Sequence, residues 1–315
     1  MSTLRPPSEA DTGGLHQPPP THTVFGARTA QDAKLLGRRG RMNGFFTGLV
    51  YASVVIAVVP LVAIVFYVLR KGGSVISVDF LTKDIPIISR SVGPGMGPAI
   101  VGTLLITGTA TAMAVPLGIL AAVYLNEYGK KNRLATVIRT MADVMTGVPS
   151  IVMGLFIYTI WVLRYGYSGF AGALALACLM LPIVIRSTEE ILRLVPAGLR
   201  EASLALGASR ARTIVTVVLP AAIPGITSGA LLAVARAAGE TAPLLFTIGA
   251  ARQVNVHVFN GANTALSTQI FRNAQLPFVG AQQRAWGAAL TLIVLVVLLT
   301  ILARIVTKRF SVPIR

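Results

Sequence analysis

Apolar residues fall in long blocks, separated by short polar segments that carry glycine, proline or charge. The blocks run at roughly residues 44–69, 98–125, 140–163, 169–185, 222–250 and 286–306. A bilayer core takes about 20 apolar residues per helical crossing. Each block therefore predicts one transmembrane helix, and the chain reads as an all-α polytopic membrane protein with about six transmembrane helices. The first block, GLVYASVVIAVVPLVAIVFYVL, contains Pro60, a kink tolerated where neighbouring helices re-satisfy the freed carbonyl. In the third, TGVPSIVMGLF places Gly147, Pro149 and Gly154 where they allow a bend or close helix contact. GITSG in the fifth, with Gly225 and Gly229, reads first as small-residue packing.

Residues 1–41 differ in kind. They are polar and rich in Pro, Thr and Gly, and no apolar core of a cleaved signal follows. A disordered cytoplasmic tail over 1–41 and a transmembrane helical domain over 42–315 are expected.

Composition fits this division, with 54% hydrophobic and 12% charged residues. The net charge of +17 raises nucleic acid as a partner, but the basic residues are spread among loops instead of gathered in one soluble domain. Topology accounts for them better. A cytoplasmic N-terminus puts Arg38, Arg39, Arg41, Lys130, Lys131, Arg133, Arg139, the arginines from 186 to 212, Lys308 and Arg309 inside. Outside are Arg70, Lys71, Lys83, Arg90, Arg164, Arg252, Arg272 and Arg284. The heavier basic load marks the inner side, with both termini cytoplasmic.

Candidate soluble chemistry is sparse. The single Cys178 lies in an apolar run, and His16, His22 and His257 are scattered, so no disulfide, metal or other cofactor site is expected in this chain. SVGPGMGP lacks the G-x-G-x-x-G spacing, and no G-x-x-x-x-G-K-[ST] is present. ATP must be hydrolysed elsewhere if it is used at all.

The segment EASLALGASRARTIVTVVLP, residues 201–220, interrupts the apolar pattern with Glu201, Arg210 and Arg212, and Arg200 precedes it. Pro196 can open a helix; Leu199, Ala202, Leu206 and Ser209 then recur at helical spacing. Gly207 weakens the helix by about 1 kcal/mol relative to Ala and marks a bend. A short amphipathic helix of this kind over 196–212 suits either a groove on another protein or anionic headgroups.

At this point the sequence resembles a family. Permease subunits of ABC importers carry Glu-Ala-Ala, three residues, Gly, nine residues, Ile, one residue and Leu-Pro. Glu201, Ala202, Gly207, Leu219 and Pro220 stand at that spacing, with Ser203 for the second Ala and Val217 for Ile. The segments YLNEYG, TGVPSIVMGLF, LMLPIVIRSTEEILRLVP and ARAAGETAPLLFTIGA are similar to those of phosphate-specific permeases of the PstA type, from about residue 44 onward. The resemblance implies a type I ABC importer permease fold in a bacterial cytoplasmic membrane. It implies a noncatalytic chain whose Glu201, Ala202, Leu206, Gly207, Leu219 and Pro220 belong to an ATPase-coupling segment. Implied partners are a second, PstC-like permease, two PstB-like ATPase subunits holding ATP and Mg, and an external PstS-like phosphate-binding protein.

The remaining candidate lies in ALLAVARAAGETAPLLFTIGA. Arg236 and Glu240 are four residues apart, on one face of a continuous fifth helix, and charges at such depth usually face a bundle interior or a wet cavity. Arg236 suits an oxyanion because its planar fork donates two parallel hydrogen bonds; Glu240 holds the guanidinium, and Thr241 adds a hydroxyl. A structural ion pair remains the alternative. Arg139 with Asp143 reads as an intrahelical structural pair, and Arg186 with Glu189 and Glu190 as a solvated boundary. Another oxyanion, or an ion-coupled secondary transporter using Arg236 and Glu240, are competing functions.

Overall fold

The computed structural model describes residues 30–88, 90, 95–129 and 132–310, the side chains of 30–41 and 306–310 excepted. Its elements are α1 (Ala30–Gly73), α2 (Val78–Thr82), α3 (Gly97–Val123), α4 (Arg133–Gly147), α5 (Ser150–Ile157), α6 (Leu163–Tyr165), α7 (Gly169–Leu194) and α8 (Ala197–Ala205). They continue with α9 (Arg210–Thr213), α10 (Leu219–Gly239), α11 (Ala242–Thr247), α12 (Leu266–Ala274) and α13 (Val279–Phe310). π-helical turns at Tyr124–Tyr128, Tyr158–Val162 and Ile214–Val218 extend α3, join α5 to α6 and join α9 to α10. Pro220 cannot donate to the carbonyl of Thr216, and the π-turn just before it is where the helical ladder shifts register.

Among the described residues five helices are long and apolar enough to cross a membrane: Met42–Gly73, Gly97–Tyr128, Gly169–Leu194, Arg210–Gly239 and Val279–Ile305. The sixth element, Arg133–Gly147 with Ser150–Tyr165, is bent by 105°. The single helix expected over 140–163 is thus corrected to two helices that meet at the bend Gly147 and Pro149 allow. Its cause is local: the residue before a proline is pushed out of the helical region, and Val148 is extended at φ −71°, ψ 125° before Pro149. The tail expected over 1–41 lies outside the described residues up to 29, and the backbone of 30–41 is helical and continuous with α1. α1 is unbroken through Pro60.

The chain divides into two compact units within α1, after Val62. In the first, every side chain from Met42 to Val62 is exposed. A largely apolar exposed surface of this kind belongs against lipid or another chain.

The second unit centres on α3, α7 and α10. Ile106, Ala110 and Ala114 of α3 meet Ala173, Leu176, Met180 and Val184 of α7 and Ala233 and Ala237 of α10, closed by Leu244 and Ile248. Alanines dominate because lipid gives no hydrophobic drive for helix association, so backbones must come close for dispersion to hold them. The two glycines of GITSG serve this packing: a Cβ on Gly225 would stand 2.6 Å from Ile191, and one on Gly229 2.4 Å from Ser187. A separate cluster of Phe80, Met96, Ala99, Leu266 and Ala288 ties α2 and the start of α3 to α12 and α13. The fold therefore presents two ends, one with α2, α12 and the start of α3, the other with α8 and the π-turn that ends α3.

Candidate functional site

α8 is short because its sequence ends it. Gly207 takes φ +83°, which L-residues rarely adopt. Its N–H donates to Leu204 O at 2.9 Å and that of Ala208 to Ser203 O at 3.2 Å. These two bonds form a Schellman termination. Ser209 then caps α9, its Oγ accepting from Arg212 N at 3.3 Å. Ser203 Oγ and Thr213 Oγ1, 2.9 Å apart, lock α8 to α9. The hydroxyl of Ser203, which stands where the family motif has its second Ala, thus joins the two helices.

Glu201, Ala202, Leu206 and Gly207 are brought together and all are exposed, Leu206 to 89%. Leu219 and Pro220 are not part of that surface. They open α10, where Leu219 packs against Ala122, Leu192, Val195, Val218, Ala222 and Ile226.

Arg200 holds α8 to the bundle. Its Nε and Nη2 donate to Glu127 Oε1 at 3.2 and 3.0 Å, its Nη1 to Val195 O at 2.6 Å and its Nη2 to Leu192 O at 2.8 Å. One side chain thus joins α8, the end of α7 and the π-turn after α3. Arg210 adds a contact over the Tyr128 ring, 5.7 Å from its centroid. Nothing local in the sequence signals this role for Glu127, because its partner lies 73 residues away.

The α4–α7 contact corrects two further expectations. Arg139 and Asp143 do not pair with each other. Arg139 Nε donates to Glu189 Oε1 at 2.9 Å, and Asp143 pairs with Arg186. Glu189, expected at a solvated boundary, is 3% exposed and also accepts from Arg193 at 2.6 Å. Arg186 thus pairs across to α4 and not with Glu189 or Glu190, and the Glu189 carboxylate serves two helices through Arg139 and Arg193.

Arg236 and Glu240 do share a cavity, of about 340 Å³, with Met145–Ser150 at the α4–α5 break and Leu179, Pro182 and Ile183 of α7. Their geometry differs from a mid-helix pair. α10 stops at Gly239, and Glu240 is extended at ψ 131°, so the pair sits at a break before α11. Arg236 Nε stands 3.8 Å from Glu240 Oε1, with the side chains 69% and 21% exposed. Ser267 Oγ of α12 donates to Glu240 O at 2.9 Å and fixes the break from behind. Gly154 of α5 comes so close to α11 that a Cβ would meet Pro243 Cα at 2.5 Å. Thr241 precedes α11 and does not line the cavity. Two broken helices thus face each other, and the arginine fork projects into the space between them. That arrangement can hold an oxyanion while keeping the counter-charge near enough to permit release.

Comparison with known proteins adds the following. The pattern described as "Binding-protein-dependent transport system inner membrane component" matches residues 114–312. "Phosphate transport system permease protein PstA 1" of Mycobacterium tuberculosis (strain ATCC 25618 / H37Rv) is 42% identical over 284 residues, 88% of this chain and 92% of that protein. "Phosphate transport system permease protein PstA" of Mycobacterium leprae is 45% identical over 263 residues (82% and 86%), and that of Yersinia pestis 42% over 269 (85% and 90%). Among solved structures, inward-facing MetNI methionine ABC transporter aligns with TM-score 0.51 at 19% identity, covering 68% of this chain and 92% of that one. A bacterial ABC transporter involved in the import of the acidic polysaccharide alginate aligns with TM-score 0.54 at 13% identity, covering 88% and 99%. These two likenesses concern the fold alone.

Proposed function

The chain belongs to the PstA permeases within the binding-protein-dependent transport system inner membrane components, and from that premise we propose that it moves inorganic phosphate inward in an ATP-driven ABC importer. It is a noncatalytic, multi-pass subunit of a bacterial inner membrane that works with other components of the transporter. We assign those components as a second, PstC-like permease, two PstB-like ATPase subunits that hold ATP and Mg, and an external PstS-like phosphate-binding protein. The full-length likeness to relatives named for phosphate carries the substrate.

The α8 end faces the cytoplasm in this reading, with both termini. Arg186, Arg193, Arg200, Arg210 and Arg212 give it the heavier basic load. The exposed Glu201–Gly207 surface docks on an ATPase subunit, and Arg200 carries its motion into α3 and α7. ATP-driven rearrangement then alters the cavity between the α4–α5 and α10–α11 breaks, where Arg236 meets the anion and Glu240 limits how tightly it is held. Such coupling requires the ATPase to interact differently with the two conformations.

The test is uptake by proteoliposomes containing the complex purified with its co-purifying subunits, given the external binding protein and ATP with Mg on the ATPase side. ATP-dependent accumulation of radiolabelled phosphate over sulfate or molybdate is expected. Preference for another oxyanion overturns the substrate. Uptake driven by an ion gradient without ATP overturns the importer class.

A further inference from the structure

Two cavities lie along one seam between α4 and α7. The Arg236 cavity is walled there by Met145–Gly147 of α4 and by Leu179, Pro182 and Ile183 of α7. A second, of about 600 Å³, opens at the α8 end, where Arg139 of α4, Arg193 of α7 and Arg200 of α8 line it. Between the two, on both helices, stand Asp143 and Arg186, which pair with each other. Asp143 falls after Arg139 and before Met145, and Arg186 after Ile183 and before Arg193.

Helical register puts the pair on the same stripe as both linings. On α7, Pro182, Ile183 and Arg193 lie four, three and seven residues from Arg186; on α4, Arg139 and Thr146 lie four and three from Asp143. One helical turn, about 5 Å, therefore separates the pair from the Arg236 cavity. Thr146 ties the two together: it lines that cavity, and its Oγ1 donates to the carbonyl of Asp143 at 2.6 Å.

The pair can exchange partners where its neighbour cannot. Glu189, one turn further along α7, has a side chain 4% exposed and holds both Arg139 and Arg193, so parting it from them strands a buried charge. Asp143 and Arg186 are each 47% exposed, and water is at hand to solvate both when they separate. A guanidinium has five N–H donors, so an oxyanion can be gripped by the Arg186 fork before the carboxylate lets go. A carboxylate close by then keeps that grip short. The same combination, an arginine with a carboxylate near enough to compete, stands one turn away at Arg236 and Glu240.

We propose that Arg186 is a second anion-contact residue, on the α8 side of Arg236, where a tetrahedral oxyanion displaces Asp143 on its way to the cavity at the α8 end. That the anion is inorganic phosphate, and that the α8 end is the cytoplasmic one, rests on the proposed function. The recognition chemistry rests on the pair and its place between the two cavities.

The experiment uses the purified complex in nanodiscs of neutral phosphatidylcholine, without the external binding protein or ATP, titrated with radiolabelled orthophosphate. Each variant is also made in the Arg236→Gln background, where the inner contact binds alone. Saturable binding is expected in both, weakened about tenfold or more in Arg186→Gln and partly recovered in Arg186→Lys. Asp143→Asn should tighten it about threefold, because no carboxylate competes. A bridge that only holds α4 to α7 is broken by either neutral variant, so binding that weakens in both, or changes in neither, overturns the proposal. So does the absence of saturable binding in Arg236→Gln itself, since a second contact would remain. Where Arg186→Gln does not assemble, Asp143→Asn decides alone, by tightening or by failing to tighten. Repeating the titrations with phosphatidylglycerol in the disc separates the sources. Unchanged phosphate binding assigns a free anion, whereas Arg186-dependent retention of the lipid in place of phosphate assigns a headgroup and overturns the passage of a soluble anion. Because uptake is not the readout, failure here leaves the importer reading standing. Arg186-dependent binding beside absent phosphate uptake overturns that reading alone.

Discussion

Arg200 and Glu127 are joined through two N–H donors to one carboxylate oxygen, at 3.0 and 3.2 Å, with side chains 21% and 10% exposed. Asn126 Nδ2 donates to the same oxygen at 2.7 Å. The pair bridges α8 to the end of α3. Arg200→Gln leaves Glu127 without its cation in a largely dry site, and also frees the carbonyls of Leu192 and Val195. Breaking a buried pair from one side costs on the order of 3 kcal/mol, less here because the site is not fully closed. Phosphate uptake is expected to fall about tenfold or more, with ATPase activity retained but no longer tied to transport. Simultaneous assays of hydrolysis and uptake check this; tightly coupled activity in Arg200→Gln refutes the role given to the pair.

The α5–α11 contact gives a prediction with its own control. Gly154→Ala puts a methyl group 2.5 Å from Pro243 Cα, against backbone that cannot swing aside, whereas Gly147→Ala meets nothing within 4 Å. Overpacking of that kind costs typically 1–3 kcal/mol. Gly154→Ala should lower the melting temperature of the purified complex, while Gly147→Ala should be near neutral in it. Equal behaviour of the two variants would refute the close approach.

How much of this was legible in sequence depended on distance along the chain. The turn at Gly207 was readable because its cause is local, a glycine six residues after Glu201 within a charged segment. The break at Gly239–Glu240 was signalled too, by Gly at the end of the pattern and Pro243 shortly beyond, yet the apolar run from 222 to 250 masked it. The bend at Val148–Pro149 was legible as one of two options from Gly147 and Pro149, while the hydropathy that continues across it gave no sign of how sharp it is. The pairing of Arg139 with Glu189, and of Asp143 with Arg186, required the tertiary fold.

The exposure of Leu206 separates docking from folding. At 89% exposed it makes no packing that a substitution could remove, so Leu206→Asp should leave the melting temperature of the isolated chain unchanged within about 0.5 kcal/mol of stability. Against an ATPase cleft, the same change places a carboxylate where an apolar side chain was seated. The ATPase is expected to be lost on purification while the second permease stays. An ATPase retained at wild-type stoichiometry would refute docking at this position.

The last prediction concerns the cavity between the two breaks. Arg236 is largely exposed to it and stands 3.8 Å from Glu240, a distance and exposure at which an ion pair contributes about 0–1 kcal/mol. A purely structural role therefore allows little effect on stability and little on transport. A role in holding the anion predicts a split: Arg236→Gln should assemble and melt like wild type, yet take up phosphate at least about tenfold more slowly, since the charged fork that meets the oxyanion is gone. Glu240→Gln should act in the opposite sense on binding, tightening phosphate held in the cavity by removing the competing carboxylate, and slow turnover through delayed release. Measured together, phosphate affinity of the complex and uptake rate distinguish the two roles. Wild-type uptake in Arg236→Gln, in a complex that assembles normally, would return the pair to structure alone.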